Sequence, residues 1–179
     1  IDEINSYKDN PAEWIHDEFD EQVFSGHPLG RNILGTQAKL KKYSRADVLN
    51  FRDANYLPGR IVISSVANIT MNKAIETAEK YIGTVESGYP TGQRNSFEKY
   101  SPSNVARRFS RHQAHIVIGN IAYSAHDDRR FAMSLLNNIL GGPAMNSRLN
   151  ISLRERNGIA YNLESNYQPF SDTGLFSIY

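Results

Sequence analysis

Two side chains near the end of the chain, Arg154 and Tyr161, have the types and spacing of a substrate-binding pair. Arg154 is predicted to lie in the last turn of a helix, and Tyr161 at the start of the strand that follows a stop at Gly158. A fixed cation and a phenol in one region can hold a substrate carbonyl or an oxyanion. Spacing alone favours the structural alternative, in which a charge at a helix end accompanies a packed strand tyrosine.

A metal site is a second possible chemistry, because the chain contains five histidines and 19 acidic residues. His16 and Asp20 are four residues apart on a predicted helix, a spacing that suits a metal ion. Their neighbours are also acidic, and the pattern favours a solvated acidic face over a ligand set. His112 and His115 are three apart on a predicted strand, so their side chains are expected on opposite faces. Glu3, taken alone, is a carboxylate on a helix.

The sequence excludes several other functions. It contains no Walker, G-x-G-x-x-G or G-x-S-x-G motif, and Gly141-Gly142 is predicted to stop a helix. Without cysteine the chain has no thiol nucleophile, disulfide scaffold or Cys-ligated zinc. A net charge of +1 argues against nucleic-acid binding, so the basic residues between 107 and 112 are interpreted as a linker end and strand edge. No apolar run approaches the ~18 residues of a membrane span.

Apolar spacing and breaker residues predict the elements that must position these side chains. Ser44 with Asp47 forms a capping box, and Thr70 is a further N-cap. Helices are predicted at about 12–24, 45–56, 71–82, 127–140 and 146–156, and strands at 60–67, 112–122, 159–167 and 173–179. This order is an α/β or α+β pattern rather than a strict β-α-β alternation.

Two long stretches carry a resemblance to a known family. Residues 3–36, EINSYKDNPAEWIHDEFDEQVFSGHPLGRNILGT, closely resemble the pitrilysin/insulinase zinc metallopeptidases, the inverzincins, which include the mitochondrial processing peptidases. Residues 115–179, which run from HIVIGNIAYSAHDDRR to SDTGLFSIY, resemble the start of that family's second module. The resemblance implies an α+β fold of α/β modules, each with an antiparallel-rich sheet flanked by helices.

The resemblance also implies a domain organisation and a set of roles. Residues 1–86 would be the C-terminal part of a first, zinc-binding module, 87–107 a linker, and 108–179 the N-terminal part of a second module. Glu3 matches the family's third zinc ligand, which joins two His ligands and a Glu base from an H-x-x-E-H helix. Arg154 and Tyr161 match the pair that binds the substrate backbone across a chamber from the Zn²⁺ ion.

The implied parent is therefore a zinc-dependent endopeptidase that hydrolyses peptides or unfolded polypeptides in a closed chamber, as a homodimer or with another family subunit. This chain, however, contains no H-x-x-E-H motif. In the family the motif lies upstream of the residue matched by Glu3, so we expect it before Ile1 in the parent. The chain alone is expected to lack peptidase activity, because one carboxylate cannot hold a catalytic zinc. The alternative is an inactive member that acts as a scaffold or as a substrate-holding subunit.

Overall fold

The computed structural model describes residues 1–57, 59, 61–83, 95–110 and 113–179. The chain divides into two units: the first comprises Ile1–Gln37 and Asn95–Tyr179, and the second comprises Ala38–Arg94. The first unit combines helices from the start of the chain with a sheet formed near its end. This combination of helices with an antiparallel sheet confirms the predicted α+β class.

The sheet of the first unit consists of β1 (Ile118–Ala122), β2 (Ser165–Pro169) and β3 (Gly174–Ile178). The strand order is β1-β3-β2 and all pairs are antiparallel, so among the described residues β3 is central and the other two strands are edges. The hairpin of β2 and β3 closes where the Phe170 N–H donates to the Thr173 carbonyl at 2.8 Å. The predicted hairpin is therefore confirmed.

The predicted strands 112–122 and 159–167 begin too early. Residues 113–117 and 159–164 belong to no strand, and the strands start only at Ile118 and Ser165. Apolar and β-branched residues indicate an extended chain, but the ends of a strand are decided by the partner it pairs with. His112 lies outside the described residues, so its predicted orientation stays a prediction.

The helices agree closely with the predicted ones. They are α1 (Asp2–Lys8), α2 (Pro11–Val23), α3 (Gln37–Leu40), α4 (Arg45–Asn55), α5 (Met71–Ile82) and α6 (Arg130–Gly141), with a 3₁₀ turn at Pro28–Gly30 and a π-helix at Asn150–Arg156. The predicted caps are present: Ser44 and Asp47 form a reciprocal capping box, and Thr70 Oγ1 accepts the Lys73 N–H at 3.3 Å. The predicted helix at about 146–156 is present, and seven of its residues form the π-helix.

Phe24 is the centre of the hydrophobic core in the first unit. It is 1% exposed and packs with Val23 and Leu175. The rings of Phe97 and Phe170 meet it edge-on, with centroids at 4.9 and 5.9 Å. Burying one such side chain contributes about 1.5–3 kcal/mol. This cluster fixes the end of α2 against the β2–β3 hairpin.

Residues 95–109 lie along α2. The Gln22 side chain donates to Ser103 Oγ at 2.5 Å, and the Trp14 and Phe109 rings meet edge-to-face with centroids 5.1 Å apart. Much of the predicted linker, 87–107, is thus packed chain, while residues 87–94 lie outside the described residues. The division of the parent into modules at residues 86 and 108 stays a prediction.

The second unit contains α4 and α5, and none of its described residues is buried. The predicted strand at 60–67 is wrong for residues 61–67, which form no strand, and Arg60 lies outside the described residues. Their β-branched composition favours extended chain, but a strand needs a hydrogen-bonded neighbour. The described residues of this unit contain no such neighbouring strand.

Candidate functional site

A cavity of about 320 Å³ opens in the first unit where α6 ends. Its walls are residues 141–143 at the end of α6, Asn150 and Arg154 of the π-helix, and residues 161–165 ahead of β2. Both members of the predicted substrate-binding pair line it. Three separate backbone segments therefore converge on one concave surface.

Arg154 and Tyr161 are in contact within this cavity. The guanidinium carbon of Arg154 is 5.2 Å from the centre of the Tyr161 ring, a cation–π distance. The Arg154 side chain is 35% exposed and Tyr161 is 86% exposed, so both remain accessible to a ligand. Arg154 also forms a 3.7 Å ion pair with Glu155. The predicted convergence of a cation and a phenol is confirmed, whereas their role in binding stays a prediction.

The π-helix and the turn after it explain how the pair meets. Arg154 lies in the last turn of this helix, as predicted. The Gly158 N–H donates to the Arg154 carbonyl at 3.0 Å, and the Ile159 N–H to the Leu153 carbonyl at 2.8 Å. Gly158 has φ +59°, a left-handed conformation that glycine adopts without strain. The turn brings Tyr161 back beside Arg154 in irregular chain, so its predicted place at a strand start is wrong.

Gly141 forms the junction between α6 and β2 at the cavity wall. A Cβ at this position would lie 2.7 Å from the Ser165 nitrogen, and Ser165 Oγ donates to the Asn137 carbonyl at 2.8 Å. The predicted helix stop is confirmed. Gly142 has φ −61° and therefore does not form a left-handed cap. The close approach of Ser165, rather than a positive φ, is the reason for glycine at position 141. Sequence reasoning missed Ser165 and Asn150 as wall residues. The Gly-Gly-Pro stretch at 141–143 is the sequence feature that could have indicated a close approach of another segment here.

Glu3 is exposed in the first turn of α1. The described residues contain no group of three or more His, Cys, Asp or Glu side chains that could hold a metal ion. A catalytic zinc needs three protein ligands and an open position. The described residues of this chain therefore do not fit a catalytic Zn²⁺ ion, and we derive no chemical step through one.

His16, whose spacing from Asp20 suits a metal ion, has other partners in the structure. The His16 ring packs on Tyr179 with centroids 5.2 Å apart, and Tyr179 OH lies 2.8 Å from His115 Nδ1. The predicted solvated acidic face is confirmed only in part, because Glu13 and Glu21 are exposed but Asp17, Glu18 and Asp20 are half-buried. Asp17 accepts from the Asn32 amide at 2.6 Å, and residues 95–109 cover part of α2.

Asp20 is the most perturbed carboxyl of α2. Burial and, to a smaller extent, the nearby charge of Asp17 together raise its pKa to about 6. The group is thus ionised above pH 6 in an environment that disfavours its charge. The pKa of Asp20 in the folded state lies above its unfolded value of 3.8, so Asp20 contributes fully to stability only below about pH 4. This contribution is lost as the pH rises from about 4 to 6.

The variant Asp20→Asn is expected to stabilise the chain by about 1 kcal/mol near neutral pH, a figure reduced for partial solvent screening. At about pH 4 the difference from the unsubstituted chain should vanish, because Asp20 is then protonated in the folded state. Urea unfolding followed by the fluorescence of Trp14, the only tryptophan, measures this difference. The exposed Asp128→Asn variant is the control, and an Asp20→Asn effect that does not depend on pH would contradict the prediction.

The basic cluster between residues 107 and 112 is partly used for packing. Arg107 forms an ion pair with Glu18 of α2 at 2.7 Å. Arg108 is exposed, and residues 111 and 112 lie outside the described residues. Residues 107–109 belong to no strand, so the predicted strand edge is wrong for these residues, and the ion pair of Arg107 joins this segment to α2. Among the described helices, none is long and apolar enough to cross a membrane.

Comparison with known proteins gives consistent matches over the whole chain. A family model described as "Peptidase M16 inactive domain" matches residues 42–179. An uncharacterized zinc protease of Bacillus subtilis is 32% identical over 99% of this chain, and one of Streptomyces coelicolor is 30% identical over 100%. The chain spans only 43% and 40% of the lengths of these two relatives.

Solved structures share the fold. A peptidase M16 inactive domain from Pseudomonas fluorescens superposes with a TM-score of 0.87 over 97% of this chain and 42% of that chain, at 23% identity. A protease from Helicobacter pylori gives a TM-score of 0.74 over 96% of this chain and 43% of that one, at 16% identity. At these identities the likeness establishes the architecture alone.

Proposed function

The chain belongs to the family described as the peptidase M16 inactive domain, and on that basis we propose that it is the substrate-binding part of a zinc-dependent metalloendopeptidase. The parent hydrolyses peptides or unfolded polypeptides inside a closed chamber. The chain itself lacks peptidase activity. Relatives more than twice its length that carry the name zinc protease support this proposal.

The observation that carries the proposal is the contact between Arg154 and Tyr161 in a cavity lined by three segments. The guanidinium group presents several N–H donors in a rigid plane, and the phenol adds one further donor. Together they can bind the carbonyl oxygens of an extended peptide. Their position at a stable helix end and a glycine turn keeps the donors oriented before substrate arrives.

Glu3 is proposed as the third ligand of the parent's Zn²⁺ ion. The other two ligands, both His, and the Glu that acts as base would be supplied by an H-x-x-E-H helix that this chain does not contain. Because Arg154 and Tyr161 are proposed to act across a chamber from the metal, two halves must meet, in a homodimer or with a related subunit.

A peptidase assay tests the proposed function. The purified parent is expected to cleave a quenched fluorogenic peptide, to lose this activity with a zinc chelator and to recover it on addition of Zn²⁺. The 179-residue chain alone should show no cleavage under the same conditions. Chelator-sensitive cleavage by the chain alone would contradict its assignment as a part of the site.

A second candidate is an inactive subunit that holds substrate or acts as a scaffold for an active partner. The matching family is described as an inactive domain, which is compatible with both candidates. This candidate requires a parent without an intact H-x-x-E-H motif, so the sequence of the parent that precedes Glu3 separates the two. Peptide binding without cleavage or bound zinc is its expected biochemical outcome.

A further inference from the structure

The segment that carries Tyr161 is held at its two ends. Residues 159–164 belong to no strand, and Tyr161 is exposed, so packing of its ring contributes little to its position. The first end of the segment is the left-handed turn at Gly158. The second end is Ser165, the first residue of β2. The place of Tyr161 beside Arg154 therefore depends on how firmly Ser165 is fixed.

Ser165 is fixed against the last turn of α6. It is buried, and its Oγ donates to the Asn137 carbonyl at 2.8 Å. A carbonyl oxygen has two lone pairs, so it can accept this bond in addition to one within the helix. Gly141 permits the close approach, because a Cβ at that position would lie 2.7 Å from the Ser165 nitrogen and 2.9 Å from its Oγ. Asn137 and Gly141 thus hold Ser165 from one side.

The sheet holds the same point of the chain from another side. Glu164 and Tyr179 exchange both of their backbone hydrogen bonds, at 3.1 and 2.8 Å, and Ser165 lies opposite Ile178 in the ladder. These contacts and those to α6 are all made within the first unit. The hydroxyl of Ser165 adds the side-chain bond that joins this end of the segment to α6.

A direct contact of Ser165 with a ligand is the alternative role, because Ser165 also lines the cavity. A serine hydroxyl has a single proton to donate, and in the structure this proton is used in the bond to the Asn137 carbonyl. The hydroxyl therefore offers a ligand no donor while that bond is intact. Its effect on the site is exerted through the chain that it holds.

From this geometry we infer that Ser165 is a positioning residue of the site: its bond to α6 fixes the place of Tyr161 against Arg154. This inference rests on the proposed function, in which the phenol and the guanidinium bind the substrate together. Donors that are oriented in advance stabilise charge without reorganising when the substrate arrives. A segment loosened at Ser165 would let the phenol leave this orientation, and Tyr161 would then contribute less to binding and turnover.

Ser165→Ala in the full-length parent is expected to lower kcat/KM about fivefold, the effect of one lost hydrogen bond, with zinc content unchanged. A double-mutant cycle identifies the residue through which Ser165 acts. In a Tyr161→Ala background, Ser165→Ala should have no further effect. In a background of Arg156→Ala, an exposed arginine outside the cavity wall, it should keep its fivefold effect. Ser177→Ala, at a similarly buried serine of β3 outside the wall, is the control and should leave kcat/KM unchanged.

Fluorine NMR of the 179-residue chain follows Tyr161 without an activity assay. The chain contains ten tyrosines, and after labelling with 3-fluorotyrosine the Tyr161 signal is identified by its absence in Tyr161→Phe. In Ser165→Ala the Tyr161 signal should shift or broaden. The signals of Tyr43 and Tyr56, which belong to the second unit, should not change.

Equal losses of kcat/KM in the two backgrounds, full activity of Ser165→Ala, or an unchanged Tyr161 signal would overturn the inference. So would a Ser165→Ala chain in which all tyrosine signals move to their positions in the unfolded chain, since the serine would then serve folding alone. If the parent cleaves no peptide, the proposed function fails. A displaced Tyr161 signal in Ser165→Ala would still show that Ser165 positions Tyr161, so the two failures are distinguishable.

Discussion

In the full-length parent, Arg154→Ala is expected to lower kcat/KM by about 10²–10³-fold while zinc content stays unchanged, as found when a preorganised donor to a developing oxyanion is removed. The cation of Arg154 is held by the end of the π-helix and by its contact with the Tyr161 ring. Alanine removes the donors without a replacement. Steady-state kinetics on one fluorogenic peptide, together with metal analysis of the same preparation, measures both quantities.

Arg156→Ala is the matched control for this prediction. Arg156 lies in the same last turn of the π-helix, is exposed and is not a wall residue of the cavity. Arg154→Lys keeps the charge but not the planar fork, so an intermediate loss of activity is expected. Tyr161→Phe should have a smaller effect, because the ring that contacts Arg154 is retained. Equal activity of the Arg154→Ala and Arg156→Ala variants would remove Arg154 from the site.

Local signals in the sequence predicted the helices well. The capping box of Ser44 with Asp47 and the cap of Thr70 depend on backbone groups only three residues away. Such bonds form within one helical turn and need no distant partner. The ends of α4 and α5 were therefore predictable to within one or two residues.

Features that depend on distant partners were not predictable. The acidic neighbours of Asp20 predict a solvated face, whereas part of α2 is covered by a segment about 80 residues away, as in the Gln22–Ser103 contact. The same applies to the start of β2, which is set by its pairing with β3. The π-helix also escapes prediction, because its wider turn is decided by packing rather than by residue type.

The candidate site lies between these two cases. Arg154 and Tyr161 are separated by a single glycine turn, so their proximity follows from local chain reversal and was predictable. The cavity around them was not predictable, because its wall includes the contact between Gly141 and Ser165, which are 24 residues apart in the sequence. Sequence spacing thus predicted the polar groups, and tertiary packing supplied the concave surface that makes them a site.

The second large effect is expected for Glu3→Gln in the parent. Loss of a residue that only supports a ligand weakens metal binding by about 10–100-fold, so loss of a ligand itself should exceed about 100-fold. An amide keeps the shape of the side chain but removes the charge that zinc requires. Zinc content after dialysis and a zinc titration of activity measure the change. Asp2→Asn is the control, because Asp2 is the adjacent acid in the first turn of α1.

The two sets of variants together separate the two halves of the proposed site. Glu3→Gln should lose zinc and activity together and recover part of the activity at high Zn²⁺ concentration, whereas Arg154→Ala should keep its zinc and recover nothing. A Glu3→Gln parent that keeps stoichiometric zinc would contradict the ligand assignment, and a parent that never contains zinc would favour the inactive subunit. Because Glu3 and Arg154 are proposed to act from opposite sides of a chamber, mixing the two inactive variants should restore activity if the parent is a dimer with shared sites.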